Sequence, residues 1–173
     1  PEQFPYTTGT GVEYDSGDFE KPVREALKIS NYEELLRQRD ERRKRGELVG
    51  VGFSTFVEPS GGAGFESRAV RVGRTGEITV LTGSRSDGQG HGTSWAQIAA
   101  GLMKTSMEHV TVLHGDTHGS QQGTGTFGAR SAVVGVGALA IAAERVIEKG
   151  KRTAAHLVEA APEDIVQTDG GFA

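Results

Sequence analysis

Apolar residues recur along this chain at helical spacing, then at strand spacing, then at helical spacing again. Val23, Leu27 and Ile29 predict a helix over Phe19–Ile29. A second is predicted from an Asn31 cap through Leu35 and Leu36 to a stop at Gly46. Pro1–Gly11, rich in Pro, Thr and Gly, reads as an extended lead-in. Leu48–Val57 is strand-like, and Ser67–Val72 and Glu77–Thr82 form two strands around the hairpin signal Gly73-Arg74-Thr75-Gly76. Thr93–Met103 reads as a helix with Ser94 and Gln97 at capping-box spacing, and Val110–Leu113 returns as a strand. Ser131–Lys149 is a long helix of small residues expected to stop at Gly150, followed by a short helix over Thr153–Ala160. Ile165–Gln167 begins a strand whose turn, Asp169-Gly170-Gly171, is expected to be almost partnerless, as in a chain cut in mid-hairpin.

This order predicts a mixed α/β (α+β) fold, a short mixed sheet with flanking helices. Residues 1–46 are expected to be a linker and helical pair from the end of a preceding subdomain, and 47–173 part of a larger domain. At 173 residues the chain is long enough to bury a core, and its 35% hydrophobic and 24% charged content is ordinary for a water-exposed protein. The longest nearly uncharged apolar run, Ala132–Ala143, is too short to span a bilayer.

Composition removes several chemistries. With no cysteine, the chain offers no disulfide, thiolate zinc site, cysteine nucleophile or iron-sulfur ligand. A net charge of -4 argues against a nucleic-acid domain. Arg37–Arg45, basic but interleaved with acids, reads as a solvated helix face. With no basic-then-apolar leader, the expected location is cytoplasmic, and the missing initiator methionine points to truncation. Glycine contributes 26 residues, about twice the usual share, concentrated between Gly46 and Gly137. Such density means backbone approaching something closely.

Two loops carry the candidate chemistry. In Ser84–Gly92, glycines surround Gln89 and His91 immediately before a helix N-terminus, where unpaired amides and the helix dipole favour an anionic group. Gln89 offers neutral donors and an acceptor, suited to an oxo group or a heterocycle. Gly123-Thr124-Gly125-Thr126-Phe127-Gly128 repeats the arrangement ahead of Arg130 and Ser131. A tight turn is the plain alternative for either loop alone. If strand Val110–Leu113 brings both to one end of the sheet, they can clasp a large ligand bearing phosphates and a polar ring system.

In order and spacing, Thr82–Ala99 and Gly115–Ser131 resemble the two cofactor loops in the large subunit of molybdenum hydroxylases, the xanthine dehydrogenase and aldehyde oxidase family. The carbon monoxide dehydrogenase branch is the most similar, through Gln3-Phe4-Pro5-Tyr6-Thr7-Thr8, Tyr14-Asp15-Ser16-Gly17-Asp18 and Arg45-Gly46-Glu47. The resemblance covers essentially the whole chain but only about a quarter of such a subunit. It implies a molybdenum-molybdopterin cofactor, carried in bacterial members as the cytosine dinucleotide. Gly88, Gln89, Gly90 and His91 match residues at the pterin or near the oxo group. Thr126, Phe127, Gly128, Ala129 and Ser131 match residues along the pterin and its phosphates. Asp116 and Thr117 match a position near the nucleotide end, while His118 stands where an acidic residue is usual.

The resemblance further implies oxidative hydroxylation with oxygen derived from water, acting on carbon monoxide, an aldehyde or an N-heterocycle. Its glutamate base lies outside these residues, no side chain here ligates the metal directly, and the isolated chain is expected to be inactive. Implied partners are the remainder of the large subunit, an FAD-binding medium subunit and a [2Fe-2S] small subunit.

Bland and rival readings stand beside this one. Glu66, Asp87, Glu108 and Asp116 are expected to be caps or solvated carboxylates, Trp95 a core anchor, and His109 a corner residue without a ligand. A metal-dependent hydrolase using His114, Asp116 and His118 is the chemical rival, since these alternate along an extended segment. A purely structural or assembly segment is the other. It differs in predicting that bulky replacements at Gly88 or Gly128 leave the pterin content of the complete complex unchanged.

Overall fold

The computed structural model describes residues 3–62, 64–120 and 122–173. Pro1 and Glu2 of the lead-in, and Gln121 of the second loop, lie outside the described residues. The chain comprises two compact units, 1–57 and 58–173, each described by itself.

In the first unit, β1 (Tyr6–Thr7) pairs antiparallel with β2 (Glu13–Tyr14), Tyr6 facing Tyr14. Phe19 packs beside the rings of Phe4 and Tyr14, with centroids 6.1 and 5.3 Å away. Helix α1 (Glu20–Ile29) and helix α2 (Tyr32–Lys44) follow the expected pattern. Asn31 stands between them with φ 49°, so it turns the chain by its backbone and makes no side-chain cap. At the far end the Gly46 amide bonds to Arg43 O (2.9 Å) and the Glu47 amide to Arg42 O (3.1 Å), while Gly46 sits at φ +84°. These paired bonds close the helix in the Schellman arrangement that favours glycine. The basic face of α2 is solvated and laced with ion pairs, Arg37 bridging Glu34 and Glu41. The strand expected over Leu48–Val57 does not form. Its residues find no strand partner among those described, and Leu48 and Phe56 are exposed.

The second unit is built on a three-stranded sheet in the order β3-β4-β5, from β3 (Arg68–Val72), β4 (Ile78–Thr82) and β5 (Val110–His114). β3 and β4 form the expected hairpin, closed by the Gly73 amide on Glu77 O at 2.8 Å. β4 and β5 run parallel, with α3 (His91–Met103) as the crossover, and Thr82 lies opposite His114. The central strand β4 is buried at Ile78, Val80, Leu81 and Thr82, as expected of a strand flanked on both sides.

Against one face lies the long helix α4 (Val136–Val158), entered through a single π turn at Ser131–Gly135. Val70, Ile78, Val80, Ala99, Leu139 and Ala143 form the core. Ala99 and Ala143, almost without exposed surface, let α3 and α4 approach closely. Among the described residues no helix is long and apolar enough to cross a membrane. This architecture is the mixed α/β class expected from the sequence.

Two helix boundaries differ from expectation. α3 begins at His91 behind an N-cap Gly90 in the left-handed region (φ 78°), so Ser94 lies inside the helix and bonds back to Gly90 O at 3.3 Å. No capping box forms. α4 also runs straight through Gly150, so the separate helix over Thr153–Ala160 merges into it. Glycine serves packing there: an added Cβ would lie 2.5 Å from ring atoms of Phe172. Phe172 belongs to the terminal hairpin of β6 (Gln167–Thr168) and β7 (Gly171–Phe172), which is fully paired, with Val166 and Ala173 exchanging bonds of 2.7 and 2.9 Å. The hairpin also satisfies the end of α3, since the Gly170 amide bonds to Lys104 O at 2.7 Å and Gln167 Nε2 to Leu102 O at 3.2 Å.

Replacing Gly150 with alanine adds helix propensity of about 1 kcal/mol but evicts the Phe172 ring. We expect faster hydrogen exchange at the Val166 and Ala173 amides of Gly150→Ala, and unchanged exchange there would show the notch to be unimportant. In α2, hydrogen bonds from Arg37 and then Gln38 hold the Glu34 carboxyl down at about 2. A depressed carboxylate supports the fold above its ordinary value of 4.5 and loses that support as pH falls through about 2. Carboxyl NMR titration should show this midpoint; one near 4.5 would contradict the geometry.

Candidate functional site

Because β4 and β5 are parallel, their C-terminal ends share one sheet edge, and both glycine loops leave from it. The loops then meet. A Cβ added to Gly83 would lie 3.0 Å from Gln122 O and 3.3 Å from Gly123 Cα, so the two backbones cross where neither can carry a side chain.

Beyond the crossing, the Arg85 carbonyl joins the loops. His91 Nδ1 lies 3.0 Å from it, and the Thr126 hydroxyl donates to it at 2.8 Å. The Ser131 hydroxyl in turn donates to Thr126 Oγ1 at 3.2 Å. This chain links the first residue of α3 to the first residue of the π turn leading into α4. Neither N-terminus has a side-chain cap. No side-chain cap therefore accepts from the first-turn amides at His91, Gly92 and Thr93, or from those at Ser131, Ala132 and Val133.

The remaining sequence-predicted residues fall around this junction. Gly88 (φ +108°) and Gly90 (φ +78°) use conformations that L side chains avoid, and both are exposed. Gln89 Oε1 accepts from the Asp87 amide at 2.5 Å, which leaves its Nε2 donors as the group it can present. Phe127 is half exposed, its ring centroid 5.1 Å from the Arg130 guanidinium carbon. Gly128 (φ +56°) lies near Glu58, and Ala129 bridges to Ser60 and accepts from the Gly61 amide at 3.1 Å. Asp116 and Thr117 stand apart in a turn of their own, where Asp116 Oδ1 accepts from the His118 amide at 2.8 Å. His114 and His118 do not join Asp116 in a metal site: among the described residues no group of three or more His, Asp or Glu is placed to hold a metal. The hydrolase reading therefore lacks its ligand set.

Sequence reasoning missed a third segment, 64–68, that backs the second loop. The Phe65 amide bonds to Thr124 Oγ1 at 3.0 Å, the Thr124 amide to Phe65 O at 3.0 Å, and the Ser67 hydroxyl to Gln122 O at 2.6 Å. Glu66, expected to be a cap or solvated, instead has a fully buried side chain, paired with buried Arg130 at 2.6 Å. Register could have revealed it. Arg68 opposite Thr82 places Glu66, Arg68, Thr82 and Ser84 on the same sheet face as Val70 and Val80, so that face turns from apolar to polar as it nears the loops.

Arg68 lies against Trp95, its guanidinium carbon 3.8 Å from the ring centroid, and His91 packs on the same ring at 5.0 Å. Trp95 is thus a core anchor with a cation on one side. Burial pushes the Arg68 guanidinium down to about 10, partly opposed by the attraction of Glu66.

Thr126→Val keeps the volume and removes the hydroxyl that joins the loops. We expect a loss of about 1 kcal/mol in denaturant unfolding, with hydrogen exchange increased in 84–92; unaltered exchange in that loop would show that the junction does not hold it.

Comparisons with known proteins show the family. The family model described as molybdopterin cofactor-binding domain matches residues 25–173. The gamma subunit of the 6-hydroxypseudooxynicotine dehydrogenase complex from Paenarthrobacter nicotinovorans is 38% identical over 99% of this chain and 22% of its own length. The carbon monoxide dehydrogenase large chain of Hydrogenophaga pseudoflava is 36% identical over 95% of this chain and 22% of its own. Among solved structures, quinoline 2-oxidoreductase from Pseudomonas putida 86 superposes with TM-score 0.65 at 35% identity, covering 98% of this chain and 23% of that one. The Cu,Mo-CO dehydrogenase gives 0.64 at 31% identity, covering 100% and 25%. The chain therefore spans about a quarter or less of the proteins it matches, and it belongs to the molybdopterin cofactor-binding domain family.

Proposed function

We propose that the crevice between the two loops holds the pterin and phosphates of a molybdenum-molybdopterin cofactor, in its cytosine dinucleotide form. The observation that carries this reading is the pair of uncapped helix N-termini joined through His91, Arg85, Thr126 and Ser131. Together they bring two sets of amide donors and two positive dipole ends to one place, matched to an anionic ligand. Gly92 fits the same role. It has neither a positive φ nor, beyond its chain neighbours and its own helix backbone, an atom within 4 Å of an added Cβ, so a bound ligand is the reason we assign for a bare backbone there.

In this reading Gly88, Gln89, Gly90 and His91 meet the pterin, Gln89 through its Nε2 donors. Thr126, Phe127, Gly128, Ala129 and Ser131 line the pterin and its phosphates by amide or hydroxyl. Asp116 and Thr117, in their separate turn, serve the nucleotide end. Residues 1–46 act as a connecting portion and 47–173 as part of the cofactor domain.

The complete protein would be a cytoplasmic molybdenum-dependent oxidoreductase hydroxylating carbon monoxide, an aldehyde or an N-heterocycle with oxygen from water. The bound cofactor supplies the two-electron redox chemistry. This chain's own residues bind and orient it, and exclude water from the loop crossing. The glutamate base comes from elsewhere in the large subunit, and electrons leave through an FAD-binding medium subunit and a [2Fe-2S] small subunit. The isolated chain would be inactive.

The test is metal and pterin analysis of the complete large subunit matured with its partners. We expect near-stoichiometric molybdenum and pterin in the parent complex. Gly88→Val, forced into a conformation costing about 1–3 kcal/mol, should lose most of the pterin. A matured parent complex without molybdenum would sink the proposal, and full pterin in Gly88→Val would favour a purely structural segment.

A further inference from the structure

We infer that Glu66 is a positioning residue, a clamp that fixes the second glycine loop against the root of the first from a segment belonging to neither. The inference rests on reading the crevice as the cofactor site, and it concerns what holds that crevice in shape.

Glu66 Oε1 accepts from Arg130 Nη1 at 2.6 Å and from the Gly125 amide at 2.8 Å. Arg130 Nη1 also donates to the Gly125 carbonyl, and its Nη2 to Phe65 O at 3.3 Å. Both polar groups of the Gly125 peptide backbone are therefore held by this one ion pair. Oε2 faces the loop crossing, where a Cβ added to Gly83 or Gly123 would lie 3.3 or 3.0 Å from it. One carboxylate thus binds the Gly125 amide and the arginine that precedes the π turn, and faces Gly83 at the root of the first loop and Gly123 in the second.

A buried ion pair is a weak source of stability, because apolar residues of similar volume often do as well. What it supplies here is direction. Gly123 (φ +151°) and Gly125 (φ +95°) have no side chains of their own to hold their unusual conformations. The residue after Gly125 is Thr126, whose hydroxyl reaches Arg85 and so sets the contact with His91. The clamp at Glu66 therefore propagates through Gly125 and Thr126 to the first loop. The apolar core under the sheet, Val70, Val80, Ala99 and Leu139, lies beyond this polar cluster and packs without it.

The experiment compares Glu66→Gln, Arg130→Lys and the double variant Glu66→Gln/Arg130→Met with the parent, by hydrogen exchange and by pterin content of the complete matured complex. Glu66→Gln keeps shape and an acceptor oxygen while losing the charge. We expect exchange in 84–92 and 122–131 to rise about tenfold or more, as when one partner of a buried pair is removed, with β3, β4 and β5 still protected and pterin content reduced. The double variant should recover the thermal midpoint but not loop protection. Parent-like protection of both loops in Glu66→Gln overturns the inference. Should that variant lose protection throughout, Arg130→Lys decides. It keeps the charge but not the fork that reaches Gly125 and Phe65, and parent-like loops there also overturn the clamp. A parent complex without pterin defeats the functional reading alone, since loop exchange still decides the role of Glu66.

Discussion

The parallel pairing of β4 with β5 is the constraint on which the rest of the molecule depends. A parallel pair must be joined by a crossover, here α3, and its two strands must end on the same edge. Thr82 and His114 are therefore neighbours, and the segments that follow them are forced into each other's company. Had β5 been antiparallel, the second glycine loop would have begun at the opposite end of the sheet. The crossing at Gly83 and Gly123, the shared Arg85 carbonyl and the buried charge cluster all presuppose this geometry.

Much of the framework was legible in the residues. The hairpin around Gly73–Gly76, the helices before Gly46 and the alternation of β4 and β5 with α3 follow from periodicity and punctuation. These are local signals, and the structure follows them. The readings at Gly150, Ser94 and Leu48–Val57 failed because local spacing and composition set neither a helix boundary nor a strand partner by themselves. Gly150 resembles a helix stop, but a ring more than twenty residues later occupies the space it leaves. Ser94 and Gln97 have capping-box spacing, but Gly90 accommodates the left-handed turn and starts the helix sooner. Leu48–Val57 has strand composition, and composition alone supplies no partner strand.

The site was legible in part, for a similar reason. Glycines before helices announce themselves, so both loops stood out. Glu66 did not, because a single carboxylate in a polar stretch is usually solvated and its burial depends on Arg130, which lies 64 residues away. Only the pleat, carried backward from Val70, places it on the inner face. The same device extends to Arg68 and Ser84, whose buried polar atoms lie on the face that further along is wholly apolar.

The Arg85 carbonyl has a consequence for the chemistry of the crevice. A carbonyl oxygen has only lone pairs, so the ring nitrogen of His91 facing it must carry the hydrogen. In the neutral imidazole Nε2 is then left bare. In that neutral form the histidine at the head of α3 offers an acceptor beside backbone amides that can only donate. In the proposed cofactor site that acceptor would suit an N–H or O–H group, and so the edge of a heterocycle rather than the oxygens of a phosphate.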